Sequence, residues 1–300
     1  MDNKRFKTLI RATRPFSMTG SVIPVILGSI LAIQESKFYF GYFVLSVIGI
    51  VLLQASVNLL SDYDDFVNKV DTRESYGSSG VIIEGLLTAT EVRRIGITFL
   101  FLGCLDGLVL AYNRGSFIVI IGIIGAILGY FYTGKPLNLK YRGLGAPVVF
   151  VNFGPLMVLG SYYLQAQQIT LKAFLVSIPI GLLTTAILHA NDIRDIKNDK
   201  KAGIKTLSIM VGKKNADRIY IGLIMISYVS ICIMSLYGFI SYWSFICLIT
   251  LPVAVKNINK LRVSNNSETA ILQLDKETAK LQGQFGILLI VSLVLPLVLI

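Results

Sequence analysis

Charge is scarce in this chain. Asp, Glu, Lys and Arg make up 15% of its 300 residues, against roughly 25% in soluble domains. The single histidine, His189, excludes multi-histidine metal centres. Three cysteines, Cys104, Cys232 and Cys247, lie inside apolar runs with no metal-ligand spacing, so they read as small packing residues. Acids number only 17, and that scarcity makes their clustering informative. What abounds is apolar: 54% of residues, with a mean hydropathy of +0.70.

Nine stretches approach the ~20 residues that cross a bilayer core. They lie near 16–34, 39–60, 93–112, 116–133, 146–164, 171–190, 219–237, 239–255 and 283–300. An all-α polytopic membrane protein is expected, with no room for a separate soluble domain. Pro252, beside Tyr242 and Trp243, leaves span eight open to a kinked or interfacial helix.

The basic residues sort by side. Twenty-five of the 28 Lys and Arg fall in the N-terminal tail and around the long connections after spans two, four, six and eight; only Lys37, Arg114 and Lys172 lie opposite. By the positive-inside rule the tail and those connections are cytoplasmic, in the cell membrane. The net charge of +11 is then a topology signal, and no nucleic-acid partner is expected. The first span follows five basic residues, as a signal peptide would. No small-residue cleavage site follows it, so a retained helix is expected.

Two acidic clusters end spans two and six on the same side: Asp62-Tyr63-Asp64-Asp65, extended by Asp71, and Asp192-Ile193-Arg194-Asp195, extended by Asp199. An even number of helices separates them, which suits a parallel repeat, although the short motif alone supports it. If the helices continue past Asn58 and Ala190, Asn58, Asp62 and Asp65 share one stripe, and Asn191, Asp192, Asp195 and Asp199 share another. Asp64 falls off the first stripe, toward solvent. Acids beside a bilayer are costly unless compensated. Opposed stripes could hold one or two Mg²⁺ ions, which take one or two protein carboxylates and complete their shells with phosphate oxygens. The bland alternative is a pair of solvated loops whose acids balance nearby Lys and Arg.

A diphosphate is the smallest common ligand that bridges two such cations, and one on an apolar tail is a prenyl diphosphate. Lys135, Lys140 and Arg142, then Lys200, Lys201 and Lys205, could neutralise its developing charge; Lys135 and Lys205 lie nearest to motif residues and are preferred. An allylic cation needs a dry pocket with aromatic faces, and Tyr130, Phe131, Tyr132, Tyr141, Phe150, Phe153, Tyr162 and Tyr163 are available around spans four and five. A cation-coupled transporter is the competing class, favoured by Asp106 within span three. The default for Asp106 is burial with a bond to a neighbouring helix. Transporter sites sit near the midplane at broken helices, whereas these acids cluster at helix ends.

Asn58-Leu-Leu-Ser-Asp62-Tyr-Asp-Asp65 with Asp71 resembles the first aspartate motif of the UbiA superfamily of intramembrane prenyltransferases. Asn191-Asp192-Ile-Arg-Asp195-Ile-Lys-Asn-Asp199, running on to Gly203 and Thr206-Leu207, resembles the second. Tyr132-Thr-Gly-Lys135-Pro136, Tyr141-Arg-Gly143-Leu-Gly145, Phe153-Gly-Pro155 and the early Arg14-Pro15 resemble the 1,4-dihydroxy-2-naphthoate polyprenyltransferase branch, as does the spacing of Asp71. Three positions depart from the usual pattern: Ser61 replaces Asn, Ala146 replaces an acid, and Asp192 stands where Asn is frequent.

The resemblance covers nearly the whole chain and implies one membrane domain over 1–300, a nine-helix bundle around a lipid-accessible cavity. It implies Mg²⁺, a polyprenyl diphosphate donor and a small aromatic acceptor. In the naphthoate branch the acceptor loses its carboxylate, giving demethylmenaquinone; 4-hydroxybenzoate, homogentisate or a lipid alcohol remain open as acceptors. Catalytic roles are expected for Asn58, Asp62, Asp65, Asp195 and Asp199, with the four aspartates as metal ligands. Asn191, Asp192, Asp71, Lys135, Tyr132 and Lys205 are expected to bind substrate. Tail length and oligomeric state are not legible.

Overall fold

The computed structural model of the chain describes residues 3–71, 77–264 and 268–299. Among these, eight helices are long and apolar enough to cross a membrane, and a shorter apolar helix makes a ninth span. An amphipathic helix α1 (Asn3–Ala12) precedes the first span, Pro15–Ile33, whose main part is α2 (Thr19–Ile33). The next spans are α3 (Phe40–Val67), α4 (Ala89–Arg114) and α5 (Ser116–Tyr130). The fifth runs as α6 (Gly145–Val151), a π-turn at Asn152–Leu156 holding Pro155, and α7 (Met157–Ala166). The sixth is α8 (Leu171–Arg194), extended outside the membrane by α9 (Ile196–Lys201) and α10 (Leu207–Val211). α11 (Lys213–Leu236), a 3₁₀ segment Tyr242–Thr250 leading into α12 (Leu251–Ser264), and α13 (Leu274–Val298) complete the bundle.

The helices overrun their apolar stretches at the aspartate end. α3 continues to Val67 and α8 to Arg194, so both acidic stripes are helical or at a helix end. The helix of the last span, α13, begins at Leu274, ahead of the expected 283, because the polar stretch Asp275–Lys280 continues the helix outside the apolar core. Its expected last residue, Ile300, lies outside the described residues. Span eight is the irregular one expected, with Pro252 placed where its missing N–H costs least, in the first turn of α12. α4 starts cleanly because Thr88 and Glu91 form a reciprocal capping box.

α8 is the central post. Val176, Ile180, Leu183, Ala186 and Ala190 are fully buried, packed with residues of α2, α7, α11 and α13. α4 and α5 instead turn Phe101, Leu105 and Ile120 outward, as lipid-facing walls do. Lipid tails are as apolar as leucine, so spans associate by close packing over small residues rather than by escape from water. A Cβ on Gly181 would stand 2.8 Å from the Gly154 Cα in the π-turn. Gly181→Ala therefore lowers stability by about 1–3 kcal/mol, seen as an earlier thermal transition in detergent; an unshifted transition contradicts this close approach.

α1 lies across the aspartate end of the bundle. Ala12 is buried in a small cluster with Leu59, Val81, Leu87 and Val92. Its exposed ion pairs, Arg5–Glu91 and Arg11–Glu84, contribute little beside that packing.

Candidate active site

A cavity of about 540 Å³ runs from the two aspartate motifs into the bundle. One polar arm is formed by Asn58, Ser61 and Asp65 of α3, with Asp71 just beyond. The other is Asn191, Asp192, Asp195, Asn198 and Asp199 of α8 and α9. Arg14, Tyr132 and Lys140 close the polar end, and apolar residues of α3, α4, α5 and α7 wall the rest. The two stripes thus face each other across one cavity.

Each arm is held by neighbours. Asn58 Nδ2 donates to Thr13 O at 2.8 Å and Ser17 Oγ at 2.9 Å, and its Oδ1 accepts from Gln54 Nε2 at 3.1 Å. Lys140 Nζ donates to Asp65 Oδ2 at 3.0 Å, and the Tyr141 hydroxyl donates to Oδ1 at 2.5 Å. On the second arm, Arg194 grips Asp195 through Nε at 2.9 Å and Nη2 at 2.7 Å. Asp195 closes α8, and its carbonyl accepts the Asp199 N–H at 2.8 Å, so the stripe continues across the break.

Four expectations are corrected here. Asp62 does not line the cavity: one oxygen pairs with Arg14, and the other accepts from the backbone and hydroxyl of Ser79. Lys135 and Lys205 are exposed and also lie outside the lining. The connection after α5 folds back, Lys140 N–H bonding Tyr132 O at 2.8 Å, so Lys140 rather than Lys135 enters the site. Lys205 is tied to the outer side of the same connection, its N–H on Tyr141 O at 3.1 Å. Asp106 lines the cavity, only half-buried and against Gly49, with no hydrogen bond to another helix among the described residues.

Of the eight aromatic candidates, Tyr130, Tyr132 and Phe153 line the cavity. Tyr162 is fully buried elsewhere, bonded to Glu35 at 2.6 Å. Asp64 bonds Thr133 at 3.1 Å outside the cavity. Arg14, noted only in a dipeptide, and Asn198, not singled out, both belong to the polar end. Asn198 lies three residues after Asp195, a spacing that shares a helix face.

The electrostatics are those of a crowded anionic site. Burial pushes the Asp199 carboxyl up to about 7, with Lys140 opposing and Asp195 and Asp65 reinforcing the shift. Asp71 is raised by burial and by Asp65. Burial works against the charge of Lys140, but Asp65 and its other neighbours outweigh it and hold the ammonium charged. A divalent cation would relieve the repulsion among these carboxylates. No three His, Cys, Asp or Glu side chains converge on one point among the described residues, so there is no wholly protein-made cage. Scattered carboxylates facing open space suit a hard cation that takes one or two of them and completes its shell with phosphate oxygens.

Residues 21–274 match the sequence model of the UbiA prenyltransferase family. The chain is 31% identical over 287 residues to the 1,4-dihydroxy-2-naphthoate octaprenyltransferase of Bacillus subtilis, covering 96% of this chain and 92% of that protein. It is also 31% identical over 294 residues to the UbiA prenyltransferase domain-containing protein 1 homolog of Drosophila melanogaster, covering 96% and 79% respectively. A solved UbiA homolog from Archaeoglobus fulgidus bound to DMAPP and Mg²⁺ shares the fold, with a TM-score of 0.58, 15% identity, and 95% of this chain and 99% of that chain covered. The transporter alternative falls away. This chain belongs to the UbiA prenyltransferase family and is a multi-pass membrane prenyltransferase.

Proposed function

We propose that this enzyme transfers a polyprenyl group from its diphosphate to 1,4-dihydroxy-2-naphthoate. One observation carries the donor side: both aspartate arms face a single cavity whose remaining walls are mostly apolar. The diphosphate lies between the arms and the isoprenoid tail follows the apolar walls toward the membrane. Asp65, Asp195 and Asp199, with Asp71 and Asp192 beside them, would hold Mg²⁺, and Asn58 and Asn191 support the diphosphate. The cation supplies charge neutralisation as the leaving group departs. Lys140 and Arg14 lie at the same end and neutralise the remaining charge. Asp62 acts one step back, fixing Arg14 and Ser79.

The transfer breaks the allylic carbon–oxygen bond and forms a bond to the acceptor's ring carbon, from which the carboxylate leaves as carbon dioxide. Tyr130, Tyr132 and Phe153 offer aromatic faces to the developing allylic cation. The naphthoate acceptor rests on the named Bacillus relative and on the spacing of Asp71. The distribution of Lys and Arg supports the cytoplasmic side of the cell membrane for this chemistry. A second reading keeps the donor and changes the acceptor. Ala146, at a position where an acid is usual, favours it, as does the 31% identity to the differently named animal relative.

The test is a membrane assay with Mg²⁺ and geranylgeranyl diphosphate, offering 1,4-dihydroxy-2-naphthoate or 4-hydroxybenzoate. Product mass and released carbon dioxide are followed. The expected result is a prenylated, decarboxylated naphthoquinol only with the first acceptor. Prenylated hydroxybenzoate instead would retain the donor site and overturn the acceptor.

A further inference from the structure

Arg194 sits between the second aspartate motif and a residue that no motif contains. Its side chain is 2% exposed, and Asp275, in the first turn of α13, is 4% exposed. Arg194 Nη1 lies 2.9 Å from Asp275 Oδ2, while Nε and Nη2 clasp the two oxygens of Asp195. Nη2 also donates to Asn191 Oδ1 at 2.6 Å. The other Asp275 oxygen, Oδ1, is buried with no hydrogen-bond partner among the described residues, so the carboxylate is held through Oδ2 by Arg194. One guanidinium therefore joins α13 to two residues that line the cavity, Asn191 and Asp195.

Neighbours in sequence do not normally face each other on a helix. The Arg194–Asp195 clasp exists because Asp195 has left helical geometry at the end of α8, with φ −92° and ψ 5°. Gly77 lies against that clasp, so close that a Cβ there would meet Asp195 Oδ2 at 3.1 Å and Arg194 Nη2 at 3.3 Å. A buried guanidinium demands a full counter-charge. With Asp275 present, two carboxylates share that demand, and Asp195 keeps net negative charge on the cavity side. Without it, Asp195 alone must neutralise Arg194.

We propose that Asp275 is a positioning residue for prenyl transfer: through Arg194 it sets the orientation and free charge with which Asp195 and Asn191 meet the donor's cation and diphosphate. The inference rests on the cation-dependent donor site proposed above. Asp275 touches neither substrate nor cavity and acts only through Arg194.

The experiment titrates Mn²⁺ by electron paramagnetic resonance into the full chain in nanodiscs, with an unreactive thio-linked prenyl diphosphate present. Asp275→Asn is expected to weaken Mn²⁺ binding about tenfold or more, as loss of an outer-shell partner does. The Mg²⁺ concentration for half-maximal rate should rise by a similar factor, with a smaller fall in kcat at saturating Mg²⁺. Glu277→Gln is the control. Glu277 pairs with Lys260 at 2.5 Å on the same helix end and does not touch Arg194, so its loss should leave Mn²⁺ binding unchanged. Wild-type Mn²⁺ binding by Asp275→Asn, or equal weakening by Glu277→Gln, overturns the proposal. If Asp275→Asn does not insert, Asp275→Glu, which moves the oxygens by one methylene, should weaken binding several-fold; unchanged binding overturns the proposal there too. A wild-type chain that binds no Mn²⁺ would instead contradict the donor-site reading itself.

Discussion

Asn in place of Asp65 should lower prenyl transfer by about 10²–10³-fold, the loss typical of one electrostatic partner of a developing anion. The substitution keeps shape and can still accept the Tyr141 hydroxyl, now 2.5 Å away. It removes the charge on the cavity side of α3, and with it a carboxylate that, on the proposed donor site, would share a cation with the diphosphate. The stabilisation acts mainly as the carbon–oxygen bond breaks, so kcat falls as well as affinity for the donor. The Mg²⁺ concentration needed for half activity should rise. Full turnover by a correctly inserted Asp65→Asn protein would remove Asp65 from the metal-binding role.

Lys140→Met should cost about 10²-fold by a different route. Its ammonium is the partner of Asp65 at 3.0 Å and lines the polar end of the cavity, where the diphosphate would lie. Methionine fills the aliphatic path but leaves the leaving group one positive charge short. Asp65 is at the same time released from its ion pair, so cation binding does not weaken. The expected signature is a lower kcat with an unchanged or smaller Mg²⁺ requirement, opposite in sense to Asp65→Asn. Parallel shifts in both variants would show that the pair serves only folding. Lys140→Arg should recover part of the activity, limited by the fork geometry of the guanidinium.

The spans were legible because a bilayer forces long apolar runs, and the charge asymmetry orders them. Their ends were not legible from hydropathy. α13 carries Asp275 to Lys280 as helix beyond the apolar core, where Lys276, Glu277 and Lys280 are good helix formers, whereas α3 carries the poorer formers Asp62 and Asp65, held by partners distant in sequence. The facing arms were legible because i, i+3 and i+4 spacing fixes a stripe whatever lies around it. Which stripe member enters the cavity was not. Asp62 is drawn off by Arg14 and Ser79, partners distant in sequence. That Lys140 rather than Lys135 lines the cavity was not legible for a similar reason: proximity in sequence says nothing about a connection that folds back on Tyr132. The Arg194–Asp275 contact spans most of the second half of the chain, and no local pattern announces it.

The central claim is that two aspartate arms hold the donor's diphosphate through a divalent cation. Equilibrium binding of geranylgeranyl diphosphate to the purified protein in nanodiscs, in Mg²⁺ and then in EDTA, tests it most directly. Saturable binding in Mg²⁺ should weaken by about tenfold or more in EDTA, and Asp65→Asn with Asp199→Asn should remove the difference. Equal affinity with and without the cation would contradict it.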